Sequence, residues 1–205
     1  MNSVFEKFSD TRDKNLKFDT SSIEGLLKDY ALAFTKAITG INTHAIEEAV
    51  ALLKAARQKG KRVYAIGNGG SASISEHLCC DWTKGTWKKN LSPMRVHSLA
   101  SNVAVITAVS NDLEYNAAFT AQVELYGESG DILVAISSSG NSPNIISAVK
   151  QAKIMGLKVI GLSGFEGGEL SRLSDISLYT PINHYGVAED SHQALMHVFA
   201  ILLNA

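Results

Sequence analysis

Apolar residues recur three and four apart from residue 23 onward. Ile23, Leu26, Leu27, Tyr30, Phe34, Ala37 and Ile38 line one face of a helix that Gly40 closes. Ile46, Ala49, Val50, Leu53 and Ala56 repeat the pattern in a second helix, with Thr43 as its candidate N-cap and Gly60 at its end. After Lys61 the rhythm changes. Apolar runs of strand length, over 62–66, 94–99, 131–136, 158–162 and 176–180, alternate with helical stretches over 73–83, 103–109, 117–124, 143–155 and 188–203. Pro143 falls in the first turn of its helix, where proline is tolerated. Strands without a polar face, alternating with helices, predict a parallel sheet covered on both sides. The expected fold class is α/β: a three-layer sandwich around a five-stranded parallel sheet, preceded by an N-terminal helical hairpin. Residues 1–20 are polar with little periodicity and read as an N-terminal arm; residues 21–205 read as one domain. The hairpin must bury its apolar faces, part of them on the sheet domain and the rest, by expectation, on a second copy of the chain.

A length of 205 residues suits one such domain, and 45% hydrophobic with 19% charged residues excludes bulk disorder. A formal net charge of −1, with no basic run longer than Lys88-Lys89, argues against nucleic acid as a partner. Lys84, Lys88 and Lys89 with Trp82 and Trp87 read as a solvated loop or as charge aimed at a substrate. No stretch reaches the roughly 18 to 20 apolar residues that span a bilayer, and the N-terminus lacks a signal-type apolar core. A cytoplasmic protein without membrane attachment is expected. The two cysteines, Cys79 and Cys80, are adjacent, which rules out a disulfide framework. They read as small buried residues on a helix.

Ligands of open parallel sheets bind at the carboxyl ends of the strands. Two loops there are unusual: Gly67-Asn68-Gly69-Gly70-Ser71 and Ser137-Ser138-Ser139-Gly140-Asn141-Ser142. Each follows a strand and opens a helix. Glycine lets the backbone approach a ligand, helix-terminal N–H groups attract anions, and hydroxyls donate to phosphate without a fixed positive charge. One such loop is explained by turn and cap chemistry alone; two in one small sheet point to an anion site. A dinucleotide is disfavoured. Gly67, Gly69 and Ala72 satisfy a loose G-x-G-x-x-A, but the stretch 94–102 has no carboxylate for a ribose. Neither loop contains the Gly-Lys-Ser/Thr of a P-loop.

With these loops the chain resembles the sugar isomerase (SIS) domain family, and within it the phosphoheptose isomerase branch, from about Ser21 to the C-terminus. The resemblance implies a flavodoxin-like five-stranded sheet and homotetramers with active sites between subunits. It also implies a phosphosugar substrate, the conversion of sedoheptulose 7-phosphate to a heptose 7-phosphate, and a surface-polysaccharide heptose pathway. By matching motifs, Ser71, Ser137, Ser138, Ser139 and Ser142 would hold the phosphate. Asn68, Gly69 and Gly70 would line the sugar, and Asn111 and Asp112 match a pair near its hydroxyls. His77, Asp81, Glu189 and His197 match a His, Glu, Gln, His set that binds zinc in some members. Asp81 would be the base that moves a proton between C1 and C2, and His197 its acid–base partner.

Helix geometry adds to this. His77 and Asp81, four apart, share a helix face. Asp190 rivals Glu189, because seven residues return closer to the face of His197. Asp81 is one methylene shorter than the family's Glu, and Glu189 adds a charge where the family has Gln. The plainer alternatives are a surface His77 and a core His197 in the apolar run 194–203, while His192 stays open between a base, a supporting partner of the site and an exposed residue. Three functions stand at this point: the isomerase, a non-catalytic adaptor of the type that binds the bacterial replication initiator, and an isomerase of another phosphosugar.

Overall fold

The computed structural model describes residues 16–205. The N-terminal arm assigned to residues 1–20 therefore lies outside the description up to residue 15. Residues 16–20 carry no helix or strand, and Phe18 packs its ring against Tyr30 and His184 at 5.5 and 5.0 Å between centroids. The hairpin consists of α1 (Ile23–Thr39) and α2 (Thr43–Gln58). Ser22 caps α1, its hydroxyl accepting from Gly25 N–H at 3.0 Å. Asn42, rather than Thr43, caps α2, accepting from His44 N–H at 2.9 Å. α2 buries Ala45, Ala49, Leu53 and Ala56, spaced at helical period. α1 fully buries Ala37 alone and leaves Ile23, Leu27 and Leu32 exposed.

The sheet is built from β1 (Arg62–Gly67), β2 (Arg95–Ser98), β3 (Ile132–Ser137), β4 (Lys158–Ser163) and β5 (Ile176–Tyr179). All pairings are parallel and the order is β2-β1-β3-β4-β5. The chain runs outward one way from β1 to β2 and the other way from β3 to β5. The switch point thus lies between β1 and β3, and a crevice is expected at their carboxyl ends. Strand alternation sorts the core into two halves. Val63, Ala65, Ile132, Val134 and Ile136 face α2, α3 (Gly70–Thr83) and α8 (Tyr185–Asn204). Tyr64, Ile66, Leu133 and Ala135 face α5 (Thr120–Tyr126) and α6 (Pro143–Ile154). The three-layer α/β sandwich expected from the sequence is the observed one.

Several boundaries differ from those expected. α3 begins at Gly70, so the end of the first loop is already helical. The helix expected over 103–109 is α4 (Val103–Asp112), which carries Asn111 and Asp112 in its last turn rather than beyond it. The stretch 117–124 divides into a 3₁₀ turn, Tyr115–Ala117, and α5. A short helix, α7 (Gly168–Leu173), was not expected; six residues between glycines and a serine carry too little periodicity to register. α8 starts at Tyr185, capped by His184, whose Nδ1 accepts from Val187 N–H at 3.2 Å. Cys79 is half-buried and Cys80 exposed, so only the helical part of that expectation holds. Among the described residues no helix is long and apolar enough to cross a membrane.

Candidate active site

The two serine- and glycine-rich loops leave adjacent strands, β1 and β3, on the two sides of the switch point. Between them lies a cavity of about 160 Å³ lined by Asn68, Ser71, Ile136, Ser137, Ser138, Ser139, Ser142, Tyr185 and Glu189. α3 and α6 both begin at this cavity, so two helix N-termini with their partial positive charge meet there. Ser142 stands at the N-cap of α6 but makes no capping bond; its hydroxyl instead lies 3.2 Å from that of Ser137. The buried Ser138 hydroxyl makes no hydrogen bond among the described residues. Gly140 turns the second loop with φ +67°, and a Cβ there would stand 2.1 Å from the Gly167 carbonyl oxygen, so the loop needs glycine on both counts. Leu170 N–H then donates to the Gly140 carbonyl at 2.9 Å, so α7 braces the loop from behind.

Asn68 is held by two residues that sequence reasoning missed. Its side-chain amide exchanges hydrogen bonds with Asn144, at 2.8 and 2.9 Å, and its oxygen also accepts from the Tyr115 hydroxyl at 2.8 Å. Asn144 is 1% exposed on α6. A polar residue two places after Ser142, in an otherwise apolar helix start, was the available signal. Asn111 and Asp112 do not join this group. They are exposed, bond each other at 2.9 Å, and do not line the cavity.

α3 and α8 are clamped together. The Trp82 indole N–H donates to the Met196 carbonyl at 3.0 Å, and its ring packs on Phe199 at 5.5 Å between centroids. Leu78 and Trp82 occupy the buried face of α3, which turns His77 and Asp81 toward the neighbouring face of α8. The Asp81 carboxylate lies between two imidazoles, 3.0 Å from His197 Nδ1 and 3.6 Å from His77 Nε2. His77, Asp81 and His197 each offer a donor atom within 4.8 Å of the others. Two histidines and a carboxylate are a donor set that suits zinc.

Glu189 is not in that group. Its carboxylate lies over Gly70, so near that a Cβ on Gly70 would meet it at 2.4 Å, and it faces the serine-lined cavity. Burial holds its carboxyl above the usual range, with the neighbouring Asp190 charge adding to the effect. Asp190 accepts from the Tyr30 hydroxyl at 2.6 Å, which ties α8 to α1. His192, one turn beyond Ala188 on α8, is fully buried, and neither ring nitrogen has a hydrogen-bond partner among the described residues. Burial drives its pKa down to about 4, and a Ser163 backbone group lies near enough to favour the charged ring slightly without forming a well-aligned bond. Burial also pushes the Cys79 thiol up to about 12, with the Glu76 charge and Cys80 adding to it, so it is no nucleophile.

A larger cavity, about 530 Å³, lies by the β2 edge, lined by residues that include Arg62, Tyr64, His97 and Gln122. Arg62 there is paired with Glu128, the Tyr64 hydroxyl donates to the Tyr126 carbonyl, and the Gln122 amide donates to two carbonyls. No loop from the switch point reaches it.

Residues 28–164 match the model of the SIS domain family. The phosphoheptose isomerase of Rhodospirillum rubrum is 35% identical over 78% of this chain and 84% of its own. That of Helicobacter pylori strain Shi470 is 33% identical over 86% of this chain and 93% of its own. Among solved structures, the phosphoheptose isomerase GmhA of Neisseria gonorrhoeae superposes with a TM-score of 0.81 at 27% identity, covering 88% of this chain and 97% of that one. The phosphoheptose isomerase of Francisella tularensis gives 0.82 at 29%, covering 89% and 96%. With both signature loops at the switch point and relatives matched over most of their length, the chain belongs to the SIS domain family, in the branch that holds the phosphoheptose isomerases.

Proposed function

We propose that the chain is an aldose–ketose isomerase that interconverts sedoheptulose 7-phosphate and a heptose 7-phosphate, working as one SIS domain over residues 21–205. The observation that carries this reading is the Asp81 carboxylate between His197 and His77, on the same two helices that border the serine-lined cavity. Ser71, Ser137, Ser138, Ser139 and Ser142 grip the phosphate, and Asn68, Gly69 and Gly70 border the sugar. That anchor supplies binding energy away from the reacting carbons and holds C1 and C2 in place. In the ketose-to-aldose direction Asp81 takes a proton from C1 and returns it to C2. His197, 3.0 Å from Asp81, moves the proton between the sugar oxygens.

The donor set fits a zinc ion held by His77, Asp81 and His197. Such an ion, when bound, supplies an electrophile that polarises the sugar oxygens. Glu189 would have to leave the cavity to join it. Tight ligation and free-base action compete for the one Asp81 carboxylate, and metal dependence decides between them.

The reading extends to a homo-oligomer with active sites between subunits. A groove of about 500 Å³ beside His197 is bordered by Leu27, Tyr30, Phe34, Asp190 and Gln193, and Ile23, Leu27 and Leu32 expose apolar surface next to it. A second copy laid on α1 would cover that surface and enclose the half-exposed histidines. Asn111 and Asp112 fit a sugar-binding role only if a neighbouring subunit brings its site against them. We assign the reaction to the cytoplasm and its product to surface-polysaccharide heptose synthesis.

The test is proton NMR with sedoheptulose 7-phosphate in D₂O, on metal-defined protein with and without zinc. Deuterium at C2 of an aldose product, lost in Asp81→Asn, is the expected result. No exchange while the phosphosugar still binds would turn the reading to another sugar or to the adaptor role.

A further inference from the structure

α8 presents a second side chain to the His77–Asp81–His197 group, one helical turn before His197. This is Gln193, which belongs to neither signature loop and does not line the serine cavity. Its amide lies 2.7 Å from His77 Nδ1 and 3.5 Å from His197 Nε2. Asp81 addresses the other nitrogen of each ring, with Oδ1 3.6 Å from His77 Nε2 and Oδ2 3.0 Å from His197 Nδ1. The imidazoles stand edge to face, 5.1 Å between centroids. A carboxylate thus meets their inner nitrogens and a carboxamide their outer ones.

A neutral imidazole carries one proton, and the hydrogen bond at one nitrogen decides what the other can do. The carboxylate accepts only. The carboxamide does either, because a half-turn about Cγ–Cδ exchanges its NH₂ and its oxygen at nearly the same positions. With NH₂ toward the rings, both outer nitrogens accept, and both protons sit on the nitrogens that face Asp81. With oxygen toward the rings, both outer nitrogens carry the protons, and His77 Nε2 and His197 Nδ1 turn their lone pairs toward the carboxylate. A cation shared by the three residues requires that second arrangement, and histidine ligands commonly have an acceptor at the far nitrogen to enforce it.

We propose that Gln193 is a positioning residue that sets the tautomers of His77 and His197 together. In the metal-free chain it keeps the protons on His77 Nε2 and His197 Nδ1. With a divalent cation its amide turns, and the protons move to His77 Nδ1 and His197 Nε2. One side chain serves both rings, so they change as a pair. The second state rests on reading His77, Asp81 and His197 as the metal-holding group; the first does not.

The experiment uses the ¹⁵N-labelled full chain near pH 8. Long-range ¹H–¹⁵N spectra report the tautomer of each ring without metal and with zinc, and chelator competition reports zinc affinity. In the wild type, zinc is expected to exchange the tautomers of both rings together. Without metal, Gln193→Leu and Gln193→Ala should give mixed tautomers at His77, whose inner nitrogen lies 3.6 Å from Asp81, and both should bind zinc about 10- to 100-fold more weakly. Gln193→Glu, which only accepts, should place a proton on the outer nitrogens, His77 Nδ1 and His197 Nε2, before metal is added. Wild-type tautomers and zinc affinity in both Gln193→Leu and Gln193→Ala would overturn the proposal. Fixed, Gln193-dependent tautomers in a chain that binds no zinc would support the hold of Gln193 on the rings and overturn only the metal reading.

Discussion

The side-chain amides of Asn68 and Asn144 donate to and accept from each other, at 2.8 and 2.9 Å, although the two residues stand 76 positions apart in the chain. The pair sets the spacing of the serine cavity, because Asn68 belongs to the loop after β1 and Asn144 to the helix after β3. Asn144→Leu removes both bonds and leaves the Asn68 amide short of partners. The expected effect is a loss of about 1–3 kcal/mol in stability and a KM for the phosphosugar raised about tenfold, with kcat less affected. Urea unfolding and steady-state kinetics check the two parts separately.

Asp81 is the residue on which turnover should depend most. Asp81→Asn keeps the shape and removes the base, and should lower kcat by about 10²- to 10⁴-fold while phosphosugar binding persists. Asp81→Glu is the more telling variant. The Trp82–Met196 clamp already sets α3 and α8 at a spacing that brings the Asp81 carboxylate to 3.0 Å from His197. An added methylene would displace the carboxylate by about 1 Å, and a displacement of that size can cost about 10²-fold. A Glu variant with wild-type kcat would show that the helices adjust to the longer side chain.

Glu189 brings a carboxylate into the cavity assigned to phosphate. Glu189→Gln should tighten binding of inorganic phosphate at pH 7–8 by about three- to tenfold, since it removes a like charge at short range. The pH dependence follows from the raised carboxyl. In the wild type, binding should strengthen as pH falls through that raised pKa and the repulsion disappears; in the Gln variant this rise should be absent. Isothermal titration across pH 5–8 distinguishes the two profiles.

His192 predicts an acid limb of stability. Its ring stays neutral in the folded chain down to about pH 4, whereas an unfolded histidine takes up its proton near pH 6.5. Between those values the unfolded state binds more protons. The contribution is therefore fully present above about pH 6.5 and is lost as pH falls toward 4, by about 3 kcal/mol in all. His192→Leu should flatten this limb in urea unfolding measured from pH 4 to 7.

Much of the fold was legible because the signals were local. Buried strands such as Ile132–Ser137 are apolar throughout and end in serine or glycine, and the i, i+4 spacing of His77 and Asp81 needs no tertiary information. The rest depended on rotation and on distant partners. At about 100° per residue, Glu189 stands roughly 80° around α8 from His197, whereas Gln193 stands roughly 40° away and Asp190 about 20°. Gln193 accordingly reaches the histidines, Glu189 turns to Gly70, and Asp190 is taken by Tyr30 from α1. Asn144 was missed for another reason: it stands out as a polar residue at an apolar helix start, but its partner lies in a different βα unit.

Among the described residues that line the serine cavity there is no lysine or arginine. The grip on an anion then comes from hydroxyls and helix-terminal dipoles, whose reach is short. Such a site does not gather its ligand from a distance, so the rate of encounter should change little with ionic strength. Selection falls to fit at contact, where a tetrahedral dianion meets converging donors and a flat carboxylate of the same charge finds fewer of them aligned.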